Sequence, residues 1–209
     1  MKIIRQGFII PAFLHPYFED GIPEKTLIDW TNSQFNGITF LDIGAHVGTW
    51  SASLADNFER IIAFEPQLDV YNCLCGNIAL NALSSKTTCH NVALSDSYGE
   101  RALKYTIAGE GGASLVVNGN ETERVQIQRL DSYKIKNVSL IKIDVEGAEL
   151  DVLRGAVQTL IDSNFPPILF KSWNDERGQR KGELLDLFTE LGYTVSSINC
   201  FPEMHLAKK

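Results

Sequence analysis

Phe40-Leu41-Asp42-Ile43-Gly44-Ala45-His46-Val47-Gly48-Thr49-Trp50-Ser51 decides how this chain folds. An apolar run ends in an acid, passes through a glycine-bearing turn and opens a helix. That is the layout of a parallel strand that brings bare backbone to a ligand at the carboxyl edge of a sheet. Gly44 removes a side chain where backbone meets ligand, and Gly48 lets the next helix pack closely. The acid narrows the choice of ligand. A pyrophosphate at Asp42 would meet a like charge, whereas a positively charged group would be attracted. The amino group and sulfonium of S-adenosyl-L-methionine supply such charge. A nicotinamide-binding turn wants G-x-G-x-x-G. Counted from Gly44, the second and third glycine positions hold His46 and Thr49.

Working outward, the next apolar run is Arg60–Phe64, closed by Glu65-Pro66. A carboxylate at that strand end can accept hydrogen bonds from two ribose hydroxyls. Beside Asp42 on the neighbouring strand, Glu65 reads as the ribose acid. Ala45, His46 and Pro66 flank the two acids, and His46 reads as a hydrogen-bonding turn residue rather than a metal ligand. A helix over Asp69–Leu80 stops at Asn81. The third strand lies in Thr87–Leu94. There Ala93 and Leu94 either pack on an adenine ring or belong to a plain core strand; the sequence leaves both open.

The second dense motif is Leu140-Ile141-Lys142-Ile143-Asp144-Val145-Glu146-Gly147-Ala148-Glu149. It puts acids at the carboxyl end of a fourth strand, Ser139–Ile143, beside the first. Asp144 and Glu146 are the candidate catalytic acids. Glu149 opens a helix, where an acid favours the dipole. Alternation turns Lys142 to the side of Asp144, so Lys142 either holds Asp144 ionised or touches substrate. An alcohol acceptor needs its proton removed, and Asp144 or Glu146 could take it. A divalent metal on Asp144, Glu146 and Asp131 is a second route, but the spacing does not demand one, so no metal is expected.

FLDIGAHVGTWS, AFEP and LIKIDVEGAELDVLRGA together resemble the FkbM family of S-adenosylmethionine-dependent methyltransferases, over roughly residues 39–172. Arg129-Leu130-Asp131-Ser132-Tyr133 resembles the family's short RLD segment. The resemblance implies a seven-stranded sheet and methyl transfer to a hydroxyl of a sugar or secondary metabolite. It maps Asp42, Gly44 and Gly48 to the methionine-side loop, Glu65 to the ribose, and Asp144 and Glu146 to the reacting edge. Lys171 departs from the pattern, because the family commonly has glutamate after the fifth strand. The tail after Ile198 leaves little room for a seventh strand, so the last strand pair is expected to be incomplete.

The rest of the chain fits one domain. Apolar β-rich runs alternate with helical ones from Thr39 onward, which predicts a doubly wound, mostly parallel Rossmann-like methyltransferase sheet, three-layer α/β/α. Residues 39–209 form the methyltransferase domain. Residues 1–38 form an N-terminal extension with one short helix after Pro23, capping sheet or cleft. Arg101–Ile107 and Glu123–Gln128 read as an inserted strand pair near the cleft, joined by the loop Gly109–Ser114. One helix follows Glu149 with Leu150, Leu153, Val157, Leu160 and Ile161 on one face. A fifth strand covers Ile168–Phe170. A last helix runs from Gln179 to Leu191 with Gly192 as its stop, and Tyr193–Ile198 makes a sixth strand.

A net charge of -7 argues against a nucleic-acid partner, and the basic piece Arg177–Lys181 reads as a solvated helix face. Phe8–Leu14 is too short and proline-broken for a signal peptide or a membrane span, so a cytoplasmic location is expected. Cys73, Cys75, Cys89 and Cys200 lack zinc-ligand spacing and read as reduced thiols. The expected partner is a small-molecule or glycan hydroxyl. The rival reading is a module on the same fold that binds S-adenosylmethionine without turnover. A nicotinamide oxidoreductase is disfavoured by the missing glycines. Asp144-Val145-Glu146-Gly147 lacks the aromatic–proline tetrapeptide of base-amine chemistry.

Overall fold

The computed structural model describes residues 2–5, 8–11, 18–105, 114–115, 121–173, 180–199 and 201–209. Its elements in chain order are β1 (Lys2–Arg5), β2 (Phe8–Pro11), α1 (Lys25–Gln34), β3 (Gly37–Ile43) and α2 (Thr49–Ser53). Then come β4 (Phe58–Phe64), α3 (Leu68–Leu80), β5 (Thr87–His90), β6 (Ala93–Leu94), β7 (Gly99–Tyr105) and β8 (Glu121–Gln128). The chain continues through β9 (Val138–Ile143), α4 (Glu149–Arg154), α5 (Val157–Asp162), β10 (Ile168–Lys171), α6 (Lys181–Glu190), β11 (Thr194–Ile198) and β12 (Phe201–Lys208).

Seven strands form the central sheet in the order β11-β12-β10-β9-β3-β4-β5. The pairs β3–β4, β4–β5, β3–β9 and β9–β10 are parallel, and β12 runs antiparallel to both neighbours. The four central strands are nearly continuous apolar runs because both of their faces are covered. Side chains alternate between the faces. Leu41, Ile43, Ile141 and Ile143 pack with Leu153 of α4, Leu160 of α5 and Phe188 of α6. Phe40, Ile61 and Leu140 pack with Leu27 and Ile28 of α1 and Trp50 of α2. Strand order reverses between β3 and β9, which opens a crevice beyond their carboxyl ends.

Several expectations change in the structure. The seventh strand is present: β12 pairs Ile168–Lys171 and Thr194–Ile198, so the last strand pair is complete. The single helix after Glu149 is two, because the chain turns at Gly155-Ala156, and Ile161 faces solvent rather than the core. The third strand also splits. Thr87–His90 stays in the main sheet, while Ala93–Leu94 crosses to a three-stranded sheet of order β6-β8-β7. That small sheet is the inserted pair, with Ala93, Leu103, Val125 and Ile127 as its own core. Gly192, with φ +82, ends the α6 segment as expected. The extension holds a β1–β2 hairpin as well as α1. Asn77 of α3 ties β2 down by donating to the Ile9 and Val47 carbonyls while accepting from the Ile9 N–H. Gly109–Ala113, Arg177–Gln179 and Cys200 lie outside the described residues. Cys73, Cys75 and Cys89 are free thiols.

Candidate active site

A cleft of about 1010 Å³, open mouth included, lies over the β3–β9 switch. One end of its wall is apolar, with Phe64, Pro66, Val92, Ala93, Leu94 and Leu103. The other end is charged, with Glu24, Lys142, Asp144, Glu146 and Lys171. Between them run Gly44, Ala45 and His46, with Glu65 beside the apolar end.

Glu65 is buried at the end of β4. Its Oε2 accepts from the His46 N–H at 2.9 Å, and its Oε1 accepts from the Gln67 N–H at 2.9 Å. These bonds lock the turn after β3 to the turn after β4. Each carboxylate oxygen keeps a second lone pair for the cleft. Burial pushes the Glu65 carboxyl up to about 7, against the pull of the two amides and of Lys142. Asn91 supports the same turn by donating to the Glu65 and Pro66 carbonyls at 2.9 and 2.8 Å.

Asp42 sits elsewhere than its place in the motif suggests. Its side chain lies on the α2 face of β3, fully buried, and is not among the residues lining the cleft. Ser51 Oγ donates to Asp42 Oδ2 at 2.7 Å, and Lys142 Nζ lies 3.4 Å from Oδ1. The β3–β9 register puts Asp42 directly across from Lys142. Lys142 in turn donates to the Gly44 carbonyl at 3.0 Å and lies 3.9 Å from Asp144. Burial pulls the Lys142 pKa down, but Asp42, Asp144 and Glu24 together leave it raised. Asp42 therefore carries the lysine beneath the turn, and the lysine carries the turn.

Both glycines of the turn make room for neighbouring protein atoms. Gly44 has φ +76, and a Cβ there would stand 1.9 Å from the Asp144 carbonyl oxygen. Close approach of the β3 and β9 exits thus requires this glycine. Gly48 makes room for Leu74 of α3, whose Cδ1 would be 2.7 Å from a Cβ. That is the helix packing the motif predicts.

At the charged end, Lys171 spans the two candidate acids. Its Nζ donates to Glu146 Oε1 at 3.2 Å, lies 3.6 Å from Asp144 Oδ1 and stacks 4.5 Å from the Trp173 ring centre. Burial lowers the Lys171 pKa, and the facing acids more than restore it, so the net shift is upward. Asp144 Oδ1 is buried without a hydrogen-bond donor. Glu146 and Gly147 both adopt positive φ, +54 and +103. Glu149 folds back to hold this turn, accepting from the Val145 and Gly147 N–H groups at 3.3 and 3.1 Å. Burial raises the Glu149 carboxyl to about 7. Ser114 of the inserted segment donates to the Glu146 carbonyl at 2.6 Å.

Asp131 does not join Asp144 and Glu146. Its Oδ1 accepts from the Thr159 N–H and hydroxyl at 2.8 and 3.0 Å, which ties it to α5. The metal route named from the sequence therefore lacks its third ligand. Among the described residues no cluster of three or more metal-ligating side chains occurs. Glu24 and Trp50 are cleft residues that the sequence did not single out. Trp50 Nε1 donates to Glu24 Oε2 at 2.9 Å.

Comparison with known proteins places this cleft in a family. The model of the methyltransferase FkbM domain matches residues 42–195. The methyltransferase sdnD of Sordaria araneosa is 30% identical over 55% of this chain and 59% of its own length. The hexuronic acid methyltransferase AglP of Haloferax volcanii is 28% identical over 59% of this chain and 52% of its own. The chain thus spans little more than half of these two curated relatives. An O-methyltransferase of Bacillus cereus, solved in complex with SAH, shares the fold with a TM-score of 0.56, at 13% identity, over 95% of this chain and 84% of that one. No helix among the described residues is long and apolar enough to cross a membrane. By the matched domain, with the two signature motifs meeting at one cleft, this chain belongs to the FkbM methyltransferase family.

Proposed function

We propose that the chain transfers a methyl group from S-adenosylmethionine to a hydroxyl of a sugar or small metabolite. The observation that carries this is the division of the cleft. An apolar slot with a buried carboxylate at its rim suits an adenosine, and a charged end beside it suits a reacting centre. The donor set fits the cofactor. Glu65 has lone pairs free for ribose hydroxyls, Ala93 and Leu94 add apolar lining, and Asp144 Oδ1 is a buried acceptor without a hydrogen-bond donor. The Haloferax relative's sugar-acid substrate supports a hydroxylated acceptor.

When bound, S-adenosylmethionine supplies a methyl group already activated by its sulfonium. The protein's remaining work is alignment and proton removal. Asp144 is the proton acceptor in this reading. Lys171 and Lys142 flank it and fix its position. Glu146 orients Lys171 and contributes the second acid. Lys171 takes the position the family commonly gives to glutamate, which leaves Asp144 and Glu146 as the acids at this edge. We include a cytoplasmic location in the proposal, supported by the free thiols of Cys73, Cys75 and Cys89 among the described residues.

The test is methyl transfer to a panel of sugars and hydroxylated metabolites. Asp144→Asn should lower kcat about 100-fold or more, with SAH affinity kept within about threefold. Full turnover in the variant would remove Asp144 from its role. Tight SAH binding with no turnover on any acceptor would favour the binding-module reading.

A further inference from the structure

The cofactor's amino-acid end is a zwitterion, and a site for it needs an acid as well as a base. Asp42 was the acid suggested by the motif, yet it is buried below the cleft and already shared between Ser51 and Lys142. Glu65 stands at the apolar end and is held by two backbone amides. Asp144 and Glu146 are bridged by Lys171. Glu24 is the remaining acid on the cleft wall.

Glu24 comes from the N-terminal extension, outside the matched domain. It precedes α1, whose Leu27 and Ile28 are buried in the core beneath Trp50. Trp50 lies in the first turn of α2, directly after the glycine turn, and its indole N–H holds one Glu24 oxygen at 2.9 Å. Glu24 also sits in a left-handed backbone conformation, φ 56 and ψ 21, which an ordinary residue adopts only under constraint. Glu24 lines the cleft together with Lys142 and Lys171, and its charge helps raise the pKa of both.

We propose that Glu24, fixed by the Trp50 indole, binds the α-ammonium group of the cofactor's methionine moiety. The proposal rests on the S-adenosylmethionine reading above and makes the extension a working part of the cofactor site. It also explains why an acid, rather than another hydrogen-bond acceptor, meets Trp50 at this place. A charge-assisted bond from ammonium to carboxylate is among the stronger polar contacts a site can make.

The experiment is calorimetric titration of the full chain with two probes. One is SAH; the other is its desamino analogue, which lacks only the α-amino group. Glu24→Gln keeps an acceptor for Trp50 and should weaken SAH about tenfold or more, while leaving the desamino analogue within about twofold. Wild type should prefer SAH to the analogue, and the variant should lose most of that preference. Trp50→Phe, which frees Glu24, should show the same selective loss in smaller degree. Equal weakening of both probes by Glu24→Gln would overturn the proposal, because that is the mark of a structural role. Undiminished SAH binding would overturn it too. Failure of wild type to bind either probe would instead bring down the S-adenosylmethionine reading. Thermal melts of each variant separate misfolding from lost recognition.

Discussion

Replacing Lys142 by methionine should cost this fold about 3–5 kcal/mol, and removing its partner as well should recover part of the loss. Lys142 and Asp42 are both buried, 3% and 0% exposed, with 3.4 Å between Nζ and Oδ1. At that separation and an effective dielectric of about 20, their attraction is about 5 kcal/mol. Burying both groups offsets much of it, so the intact pair adds little net stability. Lys142→Met removes the attraction but leaves the buried carboxylate with only the Ser51 hydroxyl. Breaking one side of a buried pair typically costs about 3–5 kcal/mol. Adding Asp42→Asn removes the stranded charge and should return at least about 1–2 kcal/mol. Urea unfolding followed by circular dichroism reads this directly. With a slope of about 2.5 kcal/mol/M, the single variant's midpoint should fall by about 1–2 M. The pH dependence has a definite sign. The folded Lys142 pKa is raised, so its contribution is complete below about 10.4, the unfolded value, and disappears as pH climbs through the folded one. A single-variant loss below about 1 kcal/mol, or a double variant no better than the single, would refute the reasoning.

Three further outcomes follow from the geometry. Gly44→Ala should destabilise by at least about 2 kcal/mol and abolish SAH binding, since its Cβ would collide with the Asp144 carbonyl at φ +76; an unchanged melting temperature would contradict the stated need for glycine. Glu65 and Glu149 both titrate near 7 in the fold but near 4.5 unfolded, so their contribution to apo stability should decline as pH rises between those values. SAH affinity should move the opposite way, rising about tenfold from pH 6 to pH 8 as Glu65 ionises, and Glu65→Gln should flatten that profile.

Much of this architecture was legible because parallel strands announce themselves. Phe40–Ile43, Ile61–Phe64, Leu140–Ile143 and Ile168–Phe170 are apolar runs that each end in a turn or a charged residue, and all four are central strands. The last strand was hidden for the opposite reason. Phe201-Pro202-Glu203-Met204-His205 mixes proline and charge near a sheet edge, where only pairing with β10 and β11 makes it a strand. The two-helix break at Gly155-Ala156 has no proline to mark it.

The site was legible by element and not by direction. Sequence placed Glu65, Asp144 and Glu146 at one sheet edge, and they line one cleft. It could not say that Asp42 turns inward. A clue was available, because Asp42 and Lys142 each stand one residue before the end of neighbouring parallel strands, and such positions align. Glu24 falls in the stretch after Pro23 that was read only as a short helix. Its meeting with Trp50 depends on how α1 docks, a contact 26 residues apart that no local pattern encodes.

The most direct test of the account is a crystal structure of the chain soaked with SAH. It should show adenine against Ala93 and Leu94, both ribose hydroxyls on Glu65, and the homocysteine sulfur pointing toward Asp144 and Lys171. A nucleoside bound elsewhere, or a sulfur facing away from Asp144, would contradict it.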